Sequence, residues 1–132
     1  GTPVGFAQLR KAREMLIALG GRVAAPCVHQ EECLLPADEW CQFTARVARS
    51  RLHKLLKGGD VPYEDEKFSF LAVTKEPVQP AQARIRRHPL IRGGYVELPL
   101  CREDAAETVK VTKKHPGYKA ARKAEIGDPW EF

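Results

Sequence analysis

Apolar residues in the first twenty positions recur near helical spacing at Phe6, Leu9, Met15 or Leu16, and Leu19, which leaves Arg10, Lys11, Arg13 and Glu14 to face water. Thr2 as N-cap and Pro3 at the first helical position start that helix, and Gly20-Gly21 stops it through a left-handed cap. Residues 22–25 then read as a short buried strand ending at Pro26. A helix followed at once by a strand is half of an α/β unit, and the strand expected before it would lie ahead of residue 1.

Pro36 and Asp38 open a second predicted helix that runs to Lys57 and closes at Gly58-Gly59. On it Trp40, Phe43, Val47 and Leu55 share one face, while Arg46, Arg49, His53 and Lys57 line another, flanked by Arg51 and Lys54. Val61-Pro62 is a turn, and Tyr63 to Lys67 is a charged lead-in to the clearest strand pattern of the chain, residues 68–74. The acidic trio Glu64, Asp65 and Glu66 is read as pairing with the neighbouring basic segment, because contiguous carboxylates rarely converge on one cation. Residues 75–80, with two prolines, form a linker.

Beyond the linker the period shortens. Residues 83–87, 95–98 and 107–113 read as strands, the last with Val109 and Val111 inward and Lys110 outward, and a short basic helix follows Tyr118. Together they predict a small antiparallel barrel or half-barrel. The expected class is therefore α/β, with an α/β segment over 1–76 and a β-rich lobe over 81–132.

Charge sharpens this division. The net charge of +5 is uneven: residues 1–66 carry nine basic and nine acidic side chains, and residues 67–132 carry thirteen and eight. The run from Arg46 to Lys57 holds five Lys or Arg and no acid, so it repels itself instead of gaining mixed-sign helix pairs. Arg84, Arg86, Arg87 and Arg92 form a second acid-free cluster, and Lys110, Lys113 and Lys114 begin a third that extends to Lys123. Such runs are commonly solvated faces; here they point to a polyanionic partner met through phosphate contacts. Tyr95, Tyr118 and Trp40 are candidates to stack on unpaired bases, Trp40 with the competing role of a core residue. No apolar run approaches the roughly 18 residues that span a bilayer, and no apolar leader points to secretion.

The remaining chemistry lies in cysteine. Cys27, Cys33 and Cys41 are separated by five and then seven residues, and 59 more intervene before Cys101. Three thiols close together and one far away describe a four-thiolate site for zinc or an iron–sulfur cluster, although neither common spacing is matched. Disulfides and inert buried thiols account for the same four residues; the second suits Cys101, in its apolar setting, better than Cys27 or Cys33. His29, between two cysteines, is either a substitute ligand or a loop histidine beside the site. No glycine-rich nucleotide loop, nucleophile elbow or zinc-protease motif is present, and none of the four histidines is spaced with a carboxylate as a general base. No catalytic residue is assigned.

Several blocks, in order, carry a family likeness: Gly-Thr-Pro-x-Gly-Phe at 1–6, Ala-Pro-Cys-x-His at 25–29, Asp-x-Trp-Cys-x-Phe at 38–43 and Arg-x-x-Arg-Ser-x-x-His at 46–53. Lys-Gly-Gly at 57–59, Tyr-Glu-Asp-Glu-Lys-Phe-Ser at 63–69, Arg-His-Pro at 87–89, Cys101 and Gly-Asp-x-Trp at 127–130 continue it. The chain resembles the C-terminal part of the methyltransferase-like small ribosomal subunit assembly proteins of bacteria and mitochondria. The resemblance implies the end of a class I methyltransferase-like Rossmann sheet with a cysteine-bearing insertion, followed by an OB-like lobe. It also implies a 4Fe–4S cluster, with zinc as the alternative, on Cys27, Cys33, Cys41 and Cys101.

The implied partners are small-subunit ribosomal RNA and ribosomal proteins, in the bacterial cytoplasm or the mitochondrial matrix, with no membrane involved and no oligomeric state indicated. RNA contact would fall to Arg46, Arg49, Arg51, Lys54, Lys57, Arg84, Arg86, Arg87, Arg92, Lys110, Lys113 and Lys114. The alternative is a piece of an active rRNA methyltransferase. S-adenosylmethionine is expected only in the full-length family protein, because the strands and glycine-rich loop that hold it are not among these residues. Val28, where the family often has proline, and the displaced Pro36 are departures that bear on loop geometry and remove no thiolate.

Overall fold

A computed structural model describes all 132 residues. Helix α1 (Pro3–Ala18) starts as expected, with the Thr2 hydroxyl accepting from the Gly5 amide at 3.1 Å and Pro3 in the first turn. It ends where Gly20 turns to φ 89°. A Cβ on Gly21 would lie 2.7 Å from both the Leu16 carbonyl oxygen and the Val73 side chain, so only glycine lets the chain pass there. Strand β1 (Arg22–Ala25) follows.

One outward-facing assignment on α1 is corrected: Arg13 is 5% exposed. It lies seven residues from the buried Phe6, two helical turns on, and so shares its face. Leu19 and both inward alternatives, Met15 and Leu16, are exposed.

The second helix is largely a strand. Residues 36–42 carry no helix, Phe43–Ala48 forms β2, and only Arg51–Lys57 is helical, as α2. Phe43, Ala45 and Val47 alternate with Thr44, Arg46 and Ala48, and this period of two finds a matching partner in β3 (Tyr63–Phe68). Phe43 stands opposite Phe68, and Arg46 opposite Asp65. Aromatic and opposite-charge pairs across a ladder outweigh weak helix propensity. Ser50, not Asp38, caps α2, its hydroxyl accepting from the His53 amide at 3.1 Å, and Gly58 closes it at φ 65°.

The charged lead-in at residues 63–67 thus supplies most of β3, and the expected strand over 68–74 is broken. Residues 69–71 leave β3 and enter β4 (Ala72–Thr74), which pairs antiparallel with β1. Phe43, Phe68 and Phe70 pack around this corner with ring centroids 5.1 to 6.1 Å apart.

The remaining strands form one antiparallel sheet. Its centre is β7 (Tyr95–Arg102), with β8 (Ala106–Thr112) along one edge. Along the other edge lie β5 (Ala83–Ile85) and β6 (Leu90–Ile91), with β9 (Pro129–Trp130) beyond β5. The sheet is open, not a closed barrel. Strands β6 and β9, two residues each, are too short to leave a periodic signal in the sequence.

Val96, Leu98 and Leu100 share one face of β7 by the two-residue period. They pack with Ala83, Ile85, Val111, Trp130 and Ala121, the last from the short helix α3 (Tyr118–Ala121). Full burial of each such aliphatic side chain contributes about 1.5–3 kcal/mol. The class is accordingly mixed α/β, built from small antiparallel sheets.

Candidate metal centre

Cys27 follows the end of β1, Cys33 lies in the loop of residues 26–42, Cys41 precedes β2 and Cys101 is near the end of β7. The fold brings all four to the wall of a single cavity of about 50 Å³, more than the ~10–15 Å³ one water requires. Phe6, Leu35, Phe43 and Phe70 supply much of the apolar wall. None of the four cysteines is in a disulfide. The disulfide arrangement is not what this fold adopts.

Short bonds from β1, from α1 and from the link between β3 and β4 hold the cysteine loop. Gln30 bonds both backbone groups of Val23 in β1: its Oε1 accepts from the amide at 2.7 Å and its Nε2 donates to the carbonyl at 3.0 Å. Arg13 of α1 donates through Nη2 to the His29 carbonyl at 2.9 Å. The Ser69 hydroxyl donates to the Cys41 carbonyl at 2.6 Å. Glu39 then ties the loop to the segment just after β5 of the five-stranded sheet, accepting from Arg86 at 2.8 Å and from Arg87 at 3.2 Å.

Burial raises the Cys27, Cys41 and Cys101 thiols, most of all Cys41, which is pushed up to about 12 by burial and then by the neighbouring Cys27, Cys101 and Cys33, against the pull of Arg86. Cys101 reaches about 11 for the same leading reason, with Cys27 and Cys33 adding to it. Burial raises Cys27 against the lowering charge of Arg13. His29 is depressed by burial and then by Arg13. These mutual effects place Cys101, from the far end of the sequence, within electrostatic reach of the other three. Soft, half-buried sulfur donors facing one another are the donor set that zinc and iron–sulfur centres take, and a bound cation deprotonates such thiols outright. As the side chains stand, no three His, Cys, Asp or Glu groups converge on the position of a single metal ion.

The basic residues divide. Arg46 is on β2, not on a helix, and its guanidinium meets Asp65 at 2.8 Å and lies over the Tyr63 ring at 3.8 Å. Arg49, His53 and Lys57 gather on Glu64 at 3.4, 2.9 and 3.3 Å, so the acidic segment does pair with the basic one. His53 thereby acquires a carboxylate partner that sequence spacing did not reveal. Arg84 turns inward to the Gly127 carbonyl at 2.9 Å. Arg92 faces Glu97 at 3.8 Å, and Lys110 lies 5.1 Å from the Tyr95 ring centroid. Arg51, Lys54, Lys113 and Lys114 form no ion pair.

Sequence reasoning missed Arg13, Ser69, Arg84 and Arg86 as walls of the cysteine cavity. Only Arg13 left a trace, in its seven-residue spacing from Phe6.

The fold and the site define a mixed α/β protein whose small antiparallel sheets meet at a four-cysteine cavity. The family model described as Mitochondrial small ribosomal subunit Rsm22 matches residues 1–131, and the chain belongs to that family. No curated protein sequence matches it. Membership ties the chain to the small ribosomal subunit and to mitochondria. No helix is long and apolar enough to cross a membrane.

Proposed function

We propose that the chain is an rRNA-binding segment of a small-subunit assembly factor, in which Cys27, Cys33, Cys41 and Cys101 hold a 4Fe–4S cluster that joins its two parts. One observation carries the reading: four cysteines from two distant stretches of sequence, the loop of residues 26–42 and the end of β7, line one cavity. On this reading, residues 1–76 correspond to the end of a methyltransferase-like sheet. The antiparallel β1–β4 pair beside α1 supports that assignment. Residues 81–132 correspond to the OB-like lobe, supported by the five-stranded sheet and its own core. No S-adenosylmethionine contact is assigned to these residues, and the cluster's contribution is to crosslink the parts.

Zinc takes the same donors and is the second reading. A single zinc ion, with Zn–S near 2.3 Å, requires its four sulfurs about 3.8 Å apart, a convergence these side chains do not make. A cluster gives each thiolate its own iron and therefore accepts a wider ring. The test is iron, sulfide and zinc analysis of anaerobically purified protein, with the absorbance near 400 nm (roughly where thiolate-bound clusters absorb). Iron and sulfide in equal amounts, lost in Cys101→Ser, support the cluster. Zinc alone assigns the site to zinc, and neither metal removes the centre.

For RNA, the geometry narrows the candidates to cations with no protein partner: Arg51 and Lys54 on α2, and Lys113 and Lys114 after β8. Arg84 and Arg86 face the cavity, and Arg46, Arg49, Lys57 and Arg87 are engaged by carboxylates. The matrix or the bacterial cytoplasm is the proposed compartment.

A further inference from the structure

Besides Arg10, whose guanidinium lies over the Phe6 ring, three arginines line the cysteine cavity: Arg13 from α1, Arg84 from β5 and Arg86 just after it. The Nε of each is buried and has no hydrogen-bond partner in the protein. Each is anchored on its other side instead. Arg13 and Arg84 donate to the neutral carbonyls of His29 and Gly127, and Arg86 donates to Glu39. No Asp or Glu lines the cavity. Glu39 is therefore the one carboxylate that any of the three meets, and Arg87 shares it.

An orphaned buried donor costs about 1–3 kcal/mol, and the cost grows at Arg13 and Arg84, which meet no carboxylate. Three such donors around one cavity indicate that an anion belongs there. A tetrathiolate centre is such an anion, because four thiolates outweigh the positive charge of either a zinc ion or an oxidised four-iron core.

We propose that Arg13, Arg84 and Arg86 are positioning residues that form a cationic shell around the cysteine-bound centre, donating their free Nε–H groups toward its sulfurs and stabilising its negative charge. The inference rests on the proposed cluster and extends it. Reduction adds an electron to an already anionic centre, so a surrounding positive charge favours the reduced form and raises the reduction potential. The shell therefore predicts the direction in which each substitution moves the potential.

The test titrates the anaerobically reconstituted chain spectroelectrochemically, comparing wild type with Arg13→Gln, Arg84→Gln and Arg86→Gln and with the corresponding Lys variants. Each Gln variant is expected to shift the reduction equilibrium at least tenfold toward the oxidised form, about 59 mV for one electron. Lys variants, which keep the charge, should stay within about threefold of wild type. Glu39→Gln is the control for loop placement, since it frees Arg86 without removing its charge and should leave the potential level or slightly higher.

Gln and Lys variants that shift alike overturn the shell, as do Gln variants that match wild type. A Glu39→Gln variant that falls as far as Arg86→Gln removes Arg86 from it. If the Gln variants fail to assemble, the Lys variants decide alone: a wild-type potential supports the shell, and a tenfold fall overturns it. If the chain carries zinc only, the readout is zinc loss to a chelator. At least tenfold faster loss in the Gln variants supports the shell, and equal rates overturn it. A wild-type chain that binds neither iron nor zinc overturns the proposed centre itself, which is a different failure from an unmoved potential in a loaded chain.

Discussion

The two ends of this chain bury their apolar residues in different ways. The sheet around β7 encloses eight buried residues in one cluster and leaves only its edges open. The earlier elements have no comparable core: Phe6, Val23, Val28, Leu35 and Phe43 are their buried apolar residues, and three of these, Phe6, Leu35 and Phe43, line the cysteine cavity. Around them Leu52, Leu55 and Leu56 of α2 are 63 to 77% exposed. One end is held by packed hydrocarbon. The other gathers around a four-cysteine cavity, and the proposed centre would supply the staple that a small set of elements without a sufficient core needs.

Removing each support in turn breaks the comparison most directly. Chelating the proposed centre would remove a contribution that for structural zinc sites is about 10–16 kcal/mol apparent. We expect amide protection to collapse in α1 and β1 to β4 while β7 and β8 keep theirs, read by hydrogen exchange with NMR. Leu98→Ala does the reverse. It should cost about 2–5 kcal/mol, speeding exchange across β7 and β8 with metal content unchanged. Equal loss of protection at both ends after chelation would show a single cooperative unit and end the contrast.

The same division explains what was legible in the sequence. Strands β7 and β8 and the start of α1 follow from local signals: alternation along 95–98 and 107–113, and Thr2-Pro3 at a helix start. Strand β2 reads as helix because Phe43, Val47 and Leu55 also fit a helical period. Its true partner, β3, is hidden in a charged stretch whose Glu64 and Asp65 match Arg49 and Arg46 only once the strands are paired. The convergence of Cys101 with Cys27, Cys33 and Cys41 is suggested by three near thiols and one distant one, but spacing leaves inert thiols as an alternative, and the family likeness is what singles out the four-thiolate set. Arg84 and Arg86 read as surface cations, since alternation in so short a strand does not reveal which face a neighbouring loop will cover.

RNA binding sharpens the comparison at the surface. Charge reversal of the unpaired cations at each end, Arg51→Glu with Lys54→Glu and Lys113→Glu with Lys114→Glu, should weaken binding to small-subunit RNA. It should also flatten the salt dependence by about 0.7–0.9 in slope for each phosphate that the protein no longer neutralises. Arg46→Glu, which breaks an existing pair with Asp65, should alter the slope by less than either. If only the Lys113 and Lys114 variant responds in filter-binding titrations across salt, the RNA surface belongs to the β7 sheet alone and α2 serves another contact.

The smallest effect expected comes from the carboxylates of the β2–α2–β3 arm. The Arg46 hydrogen bond holds Asp65 below its usual range, and the Lys57 hydrogen bond, followed by the charges of Lys57, Arg49 and His53, does the same for Glu64. Both folded values are lowered, so the stability these pairs contribute is complete above the ordinary carboxylate range, roughly pH 4. It is lost as pH falls through the lowered folded values. Exposed pairs of this kind contribute little, so acidification should loosen the arm before it disturbs the β7 core. Carboxyl-carbon NMR titration checks the sign: Arg46→Ala should return Asp65 upward to the usual range and leave Glu64 where it was. If both move together, the two clusters are one network, and the arm is stiffer than its exposed leucines imply.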